Sequence, residues 1–187
     1  MAVRFKHSNV YSMYYCTVTC YQWLHLFEIT QGYDLVYKWF DYLKGKNIYV
    51  VAYVIMPNHV HCILYFPSEN FDLNKLIGNA KRFLAYDIIN RLELQSNSQL
   101  LKALSDALTE TEIAKGQKHR VFEESFDAKP IYSEPFFFQK LDYIHHNPVS
   151  GRWKLVDDYT EYEHSSALFY ELSKVFHFEP KHYNELS

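Results

Sequence analysis

The order of apolar and polar residues along the chain predicts four strands and three long helices. Residues 48–56 and 59–66 are almost continuously apolar, β-branched or aromatic, and a turn-forming Pro-Asn pair separates them, which is typical of two strands joined by a tight turn. Apolar residues recur instead with a helical period at 34–43 and 73–92. The predicted elements are strand 13–23, helix 34–43, strand 48–56, strand 59–66, helix 73–92, strand 121–126 and helix 134–146.

This order of elements matches the β-α-β-β-α-β arrangement of ferredoxin-like and RRM-like folds. We therefore expect an α+β protein with an antiparallel sheet, helices on one face, and a further tyrosine-bearing helix at 134–146 toward the C-terminus. Short helices are predicted at 100–114 and 165–176. Residues 93–120 are polar and weakly patterned, so they are predicted to be an insertion in a single domain that spans residues 1–187.

The composition changes this picture through its aromatic residues and its charge. The chain has 17 Tyr, 14 Phe and 3 Trp, which make up 18% of its 187 residues, and this is more than a core can bury. Some rings must therefore lie on surfaces or in sites. The net charge of −3 argues against a protein that binds nucleic acid by bulk charge, but a local basic groove remains compatible with it.

The number of cysteines and the hydropathy of the chain indicate the cellular compartment in which the protein is expected. Three cysteines are too few, and odd in number, for a disulfide framework. Cys16 and Cys20 have the spacing of half a zinc site, but the chain has no second cysteine pair, so a buried strand face is favoured. No apolar run reaches the roughly 18 residues of a membrane span, and residues 1–10 lack the apolar stretch of a secretion signal. We expect a cytoplasmic protein with no membrane partner.

His59 and His61 are the sharpest candidate for chemistry. Side chains two residues apart on a strand point to the same face, so both imidazoles can approach one divalent ion while Val60 points into the core. Two ligands are too few for a tight metal site, and a third has to come from elsewhere. The alternative is a pair of hydrogen-bonded histidines without a metal.

The predicted helix at 134–146 carries the second candidate. Gln139, Tyr143 and Asn147 are spaced so that they lie along one helical face, which places a phenol between two carboxamides. A tyrosine can act as a covalent nucleophile when its environment activates it. The helix alone favours the alternative that Tyr143 is an ordinary half-buried tyrosine.

The two candidates together resemble a known family. Residues 53–61 (YVIMPNHVH), followed by residues 142–149 (DYIHHNPV), resemble the REP-associated tyrosine transposases, which belong to the single-tyrosine HUH (histidine, hydrophobic, histidine) superfamily. The resemblance extends to residues 81–83 (KRF) and 164–167 (HSSA), and it covers roughly residues 10 to 170. Each core motif is weak alone, but the two in this order are specific.

The resemblance implies a metal-dependent single-stranded DNA endonuclease and strand transferase that acts in DNA transposition. The metal histidines of the family correspond to His59 and His61, and its nucleophile corresponds to Tyr143. The third metal ligand lies one helical turn after the tyrosine, which here is Asn147, with His146 as the alternative. The implied cofactor is Mg²⁺ or Mn²⁺, and the implied intermediate is a 5′-phosphotyrosine that a free 3′-hydroxyl can attack.

The implied partner is single-stranded or hairpin DNA. Lys81 and Arg82 are expected to bind DNA because of the family resemblance, and Arg152 because a charge next to Trp153 suits stacked single-stranded bases. A solvated helix face and a half-buried Trp are the alternatives. The sequence leaves open whether the protein acts as a monomer or as a homodimer. The rival function is a non-enzymatic single-stranded nucleic-acid-binding module with an RRM-like sheet whose rings stack bases.

Overall fold

A computed structural model describes residues 11–186; the segment 1–10, in which no secretion signal was expected, lies outside the described residues. The helices and strands are β1 (Met13–Thr19), α1 (Leu26–Ile29), α2 (Tyr33–Gly45), β2 (Tyr49–Met56), β3 (His59–Tyr65), α3 (Leu73–Leu94), α4 (Ser98–Asp106), α5 (Glu110–Ala114), β4 (Asp127–Pro130), α6 (Glu134–His146) and α7 (Ala167–Leu172). No helix among the described residues has the length and apolar character that crossing a bilayer requires.

The four strands form one antiparallel sheet in the order β2-β3-β1-β4. The predicted α+β class and antiparallel sheet are therefore confirmed. In the β1–β3 register, Thr17 lies opposite His61 and Thr19 lies opposite His59. The start of the histidine strand thus lies beside the end of β1, in the middle of the sheet.

The sheet is covered on both faces. Val60 and the other inward residues of one face pack under α2 and α3, while Ile63 and the residues of the opposite face pack under α6. The helical stripe predicted for α2, which consists of Leu35, Val36, Trp39, Phe40 and Leu43, is fully buried. Burying a side chain of the size of Phe40 stabilises the fold by about 2 kcal/mol, so this stripe holds α2 firmly on the sheet.

Helix α6 begins and ends where local chemistry predicts. The Ser133 hydroxyl accepts a hydrogen bond from the backbone N–H of Phe136, which caps the first turn. The last helical residue is His146, and a short 3₁₀ turn follows. Asn147 keeps right-handed helical angles (φ −54°, ψ −43°) although it precedes a proline, so the helix ends because Pro148 has no N–H to continue its hydrogen bonds. Phe137, Leu141 and Ile144 lie on the face that packs against the sheet, as predicted.

The prediction of a fourth strand at 121–126 is wrong. The segment pairs with the end of β1 only at an isolated bridge between Cys20 and Phe122, and Val121 and Phe122 are buried in the core. The strand that completes the sheet is β4, the next four residues of the chain. It ends at Pro130, which an edge strand tolerates because one side of its backbone is unpaired.

Residues 93–120 form two helices where one was predicted. Thr109 separates them and starts α5 with a reciprocal capping box to Glu112. Leu104 of α4 is fully buried and belongs to the core beneath α3. Strand β1 also ends earlier than predicted, because the backbone turns into the left-handed region at Gln22 and Trp23.

The C-terminal part of the chain covers the outer edge of β2. The N–H of Ile55 donates to the carbonyl of His164, and the N–H of Lys181 donates to the carbonyl of Val50. The N–H of Ser166 donates to the carbonyl of Tyr53 in the same way. Helix α7 is shorter than the predicted 165–176 because the residue after Leu172, Ser173, adopts a left-handed conformation.

Candidate functional site

His59 and His61 lie at the start of β3 and face α6. Both residues are buried, with only 3% and 6% of their surface exposed. Their ring centroids are 4.6 Å apart and the rings are nearly perpendicular. The spacing of two residues on the strand therefore brings the imidazoles together on one face, as the sequence predicts.

Each imidazole is held through Nδ1. His59 Nδ1 lies 2.6 Å from Oδ1 of Asn58, so that Nδ1 carries the proton and donates it. His61 Nδ1 lies 2.8 Å from the Tyr15 hydroxyl and 2.9 Å from the Thr17 hydroxyl. These contacts fix the orientation of both rings and leave Nε2 of each as the nitrogen for a metal ion.

Burial also keeps both histidines neutral. It lowers the pKa of His59 to about 4, against the effect of the neighbouring Asn147 side chain and with a smaller contribution from the positive charge of Arg152. Burial likewise holds the pKa of His61 well below its usual range, and the charges of His59 and Lys140 act in the same direction. A neutral imidazole has the free lone pair that a metal ligand needs.

Asn147 provides a third donor at the same place. It is buried, and its Oδ1 makes no hydrogen bond of good geometry within residues 11–186, although the side chain lies close enough to His59 to act on the pKa of that imidazole. A buried carboxamide oxygen without a partner is costly unless something outside the chain satisfies it. Two imidazole nitrogens and this oxygen form a mixed donor set that can hold a single divalent ion.

His146, the alternative third ligand, has other contacts. Its Nδ1 is 3.1 Å from a carboxylate oxygen of Asp142, and its ring packs 4.1 Å from that of Tyr159. Its side chain is 41% exposed. The side chain of Asn147, which the family resemblance implies as the third ligand, is the one that interacts with His59.

Tyr143 lies one helical turn before Asn147. It is 48% exposed, and its ring centroid is 5.3 Å from that of His61. The Nζ atom of Lys140 lies 5.6 Å from the centre of the same ring. An accessible phenol thus stands beside the two histidines, with one positive charge next to it.

The predicted DNA-binding residues lie in two regions. Arg152 is close enough to His59 to affect its pKa, and its guanidinium lies 5.5 Å from the Trp153 ring centroid. Lys81 and Arg82 lie on α3, the helix on the opposite face of the sheet from α6. The ammonium of Lys81 donates to the carbonyls of Glu123 and Glu124, and both basic residues line a groove between α3 and residues 115–124.

Sequence reasoning missed the residues that support the site. Tyr15 and Thr17 contact His61 because β1 pairs with β3, a register that only the folded sheet defines. Asn58 was assigned only to a turn, although its side chain also holds His59. Lys140 had a detectable signal, because residues three apart on a helix are neighbours and it precedes Tyr143 by three.

A second group of possible metal donors lies elsewhere. In the described part of the chain, one set of three His, Cys, Asp or Glu side chains has its donor atoms within 4.8 Å of one another, and it consists of Glu163, His164 and His177. His164 packs against Tyr33 and Tyr37 of α2, so this group is on the opposite face of the sheet from α6. The sequence analysis did not assign these residues to a metal.

Comparison with known proteins identifies the fold. No family model matches the chain, and no curated protein matches it. Among solved structures, one described as a REP-associated tyrosine transposase bound to a REP hairpin superimposes with a TM-score of 0.57 at 17% sequence identity. The match covers 97% of this chain and 92% of the other. The chain therefore shares, over nearly its whole length, the fold of a tyrosine transposase.

Proposed function

We propose that the protein is a metal-dependent transposase-type enzyme that cleaves and joins single-stranded DNA through a 5′-phosphotyrosine on Tyr143. The observation that carries the proposal is the convergence of β3 and α6. Two neutral buried histidines, a buried Asn147 oxygen beside His59 that makes no hydrogen bond of good geometry, and an exposed phenol meet there. A packing role explains an apolar contact at this position, but it does not explain why two imidazoles and a carboxamide are buried together.

In this proposal His59 and His61 hold one Mg²⁺ or Mn²⁺ ion through Nε2, and Asn147 holds it through Oδ1. When bound, the ion polarises the scissile phosphate. The Tyr143 hydroxyl gives up its proton to solvent and its oxygen attacks phosphorus, the bond from phosphorus to the 3′-oxygen breaks, and that oxygen takes up a proton from solvent to leave as a free 3′-hydroxyl. The phosphate stays on the tyrosine, so attack by another 3′-hydroxyl rejoins DNA without a further energy source.

Two basic residues are suited to the DNA next to the phenol. Lys140 lies beside the Tyr143 ring, where its charge can stabilise the negative charge of the phosphate as bonds change. Arg152 and the adjacent Trp153 combine a phosphate contact with a stacking ring. The solved structure with the same fold is described as bound to a REP hairpin, which supports a DNA hairpin with a single-stranded flank as the substrate class.

The rival function of a base-stacking RRM-like module requires an open sheet face. Here the face opposite α2 and α3 is covered by Phe137, Leu141 and Ile144 of α6. Bases could stack on the strands only after α6 moved away from the sheet. The geometry therefore favours the enzyme.

Covalent capture tests the proposal. A pool of single-stranded oligonucleotides, each with a central hairpin and randomised flanks, is labelled at the 3′ end and incubated with the protein and Mn²⁺. We expect a labelled band that survives denaturing electrophoresis, because the 3′ fragment stays attached through its 5′ phosphate. The band should disappear with EDTA and in the Tyr143→Phe variant.

Tyr132→Phe and Tyr159→Phe are the matched controls, because each also removes one tyrosine hydroxyl. Both are expected to keep the adduct. An adduct that persists in Tyr143→Phe and is lost in either control would assign the nucleophile to that other tyrosine. Absence of any adduct with wild type, although the pool binds, would favour the non-enzymatic binding module.

A further inference from the structure

The second donor group lies where the C-terminal segment meets the edge of the sheet. His177 Nε2 is 2.8 Å from one carboxylate oxygen of Glu163, and His164 Nε2 is 3.9 Å from the other. The two imidazole rings stack at a centroid distance of 5.4 Å. One carboxylate is thus shared between two histidines that lie well apart in the chain.

His164 is already oriented as a ligand would be. Its Nδ1 lies 3.0 Å from the Tyr37 hydroxyl, and its ring stacks on that of Tyr33 at 3.7 Å. A hydrogen bond to one ring nitrogen fixes the other, Nε2, toward Glu163 and His177, which is the usual arrangement around metal-binding histidines. The backbone carbonyl of His164 is in turn bonded to Ile55 in β2, so the ligand stands on a rigid element.

The remaining two side chains are free to close on an ion. A tetrahedral ion with bonds of about 2.0–2.1 Å places its ligand atoms about 3.4 Å apart, slightly closer than the 4.8 Å within which these atoms lie. The side chains of Glu163 and His177 are 56% and 39% exposed, so small rotations can bring them together. The direct contact between His177 and Glu163 would be exchanged for two bonds to one ion.

We propose that Glu163, His164 and His177 form a Zn²⁺ site that ties the chain at residue 177 to residues 163–164, which lie along the edge of β2. Two imidazoles and one carboxylate are the donor set that zinc accepts with a fourth position open to water. The site is separate from His59 and His61, because it lies on the α2 side of the sheet. It requires neither nuclease activity nor DNA.

The test uses the full-length His59→Ala/His61→Ala variant, in which the other candidate site is removed. Calorimetric titration with Zn²⁺ should give one equivalent bound, and Co²⁺ should give the visible absorption of a tetrahedral site. Adding His177→Gln or His164→Gln should abolish both signals. His25→Gln is the matched control, because His25 is paired with Glu28 at 3.0 Å without belonging to the three-residue group, and it should keep both signals.

A structural readout completes the test. Because only the folded protein presents all three ligands, Zn²⁺ at about a hundredfold above its Kd should raise Tm by several degrees, and His177→Gln should remove this rise. His177→Gln without metal should melt close to its parent, since its side chain is at the surface. Binding that is unaffected by His177→Gln, or a wild-type titration whose single equivalent is lost in the parent variant, would overturn the proposal.

Discussion

Thr17 lies directly opposite His61 in the β1–β3 register, and its hydroxyl is 2.9 Å from Nδ1 of that histidine. The Tyr15 hydroxyl approaches the same nitrogen from the next position on that face of β1. One strand therefore carries a metal-ligand candidate, and its neighbour in the sheet carries the groups that orient it. A hydrogen bond of this kind determines which ring nitrogen is free.

Removing these hydroxyls should weaken metal binding without unfolding the protein. The Tyr15→Phe/Thr17→Val double variant keeps both side-chain shapes but leaves the His61 ring without a partner at Nδ1. We expect Mn²⁺ affinity to fall by about tenfold or more, as measured by isothermal titration. Thr19→Val, opposite His59, is the control and should bind normally. Equal affinity in the double variant would show that the hydroxyls do not orient His61.

The buried histidine His145 should make stability depend on pH. Burial lowers its pKa to about 4, whereas an unfolded histidine titrates near 6.5. Above pH 6.5 both states are neutral; as the pH falls toward 4, the unfolded chain takes up a proton that the folded chain refuses. The free energy of unfolding should therefore fall over this range, by up to about 3 kcal/mol from this residue.

Urea denaturation at several pH values, with EDTA present, measures this dependence. His145→Gln should make the curve between pH 6.5 and 4 less steep by the share of this one residue, because burial also lowers the pKa of His59, His61 and His164, and the glutamine can keep the hydrogen bond to Ser166. His119→Gln, which replaces a half-buried histidine of the 115–124 segment, is the control for the histidine-to-glutamine change itself. A slope in His145→Gln that equals the wild-type slope would show that His145 does not contribute to the pH dependence.

The segment 93–120 should contribute to stability although its composition is polar. Leu104 is fully buried, so Leu104→Ala should destabilise the protein by about 2–5 kcal/mol through lost burial and a residual cavity. Leu94 is 86% exposed, and Leu94→Ala should change stability by less than about 0.5 kcal/mol. Chemical denaturation compares the two. Similar values for both variants would mean that the segment is a detachable insertion.

The basic residues should differ in their effect on DNA binding. Arg152 is near the histidines, and neutralising one phosphate contact lowers the slope of log K against log salt by about 0.7 for single strands. We expect this reduction for Arg152→Ala. Lys81→Ala should instead reduce stability, because it leaves the backbone carbonyls of Glu123 and Glu124 without the ammonium that now donates to them.

Fluorescence anisotropy with the hairpin pool, at several salt concentrations, measures both slopes. Arg82→Ala is an informative third variant, because Arg82 is exposed beside Lys81 on the same helix. A reduced slope for Arg82→Ala and an unchanged one for Arg152→Ala would move the DNA from α6 to the groove beside α3.

Local sequence patterns predicted the helices and strands in which a regular row of apolar side chains is buried. Helix α2 and the hairpin of β2 and β3 have such stripes, and their positions were predicted to within a few residues. Strand β4 has none, because only Ala128 of its four residues is buried. Its position depends on pairing with Tyr14–Thr17 of β1, which is a contact between distant parts of the chain.

In the candidate site, too, some relationships were predictable from residue spacing and others depend on the folded backbone. Spacing alone predicted that His59 and His61 share a face and that Asn147 lies one turn after Tyr143. The contact of Lys81 with the carbonyls of Glu123 and Glu124 was not predictable, because backbone groups carry no sequence signal. The residue type alone does not distinguish a lysine that binds a phosphate from one that donates hydrogen bonds to the backbone carbonyls of a loop.

The outer edge of β2 has a consequence for the whole protein's solubility. Tyr53, Ile55 and Val50 bond there to the C-terminal segment, and β2 is buried along nearly all its length. If the chain is cut after residue 163, this apolar strand should expose a row of unpaired backbone groups, which is a template for intermolecular sheet formation. Light scattering should then detect concentration-dependent association that the full chain does not show. Residues 164–186 thus protect the edge of β2 from pairing with other chains, and this role does not depend on any chemistry at α6.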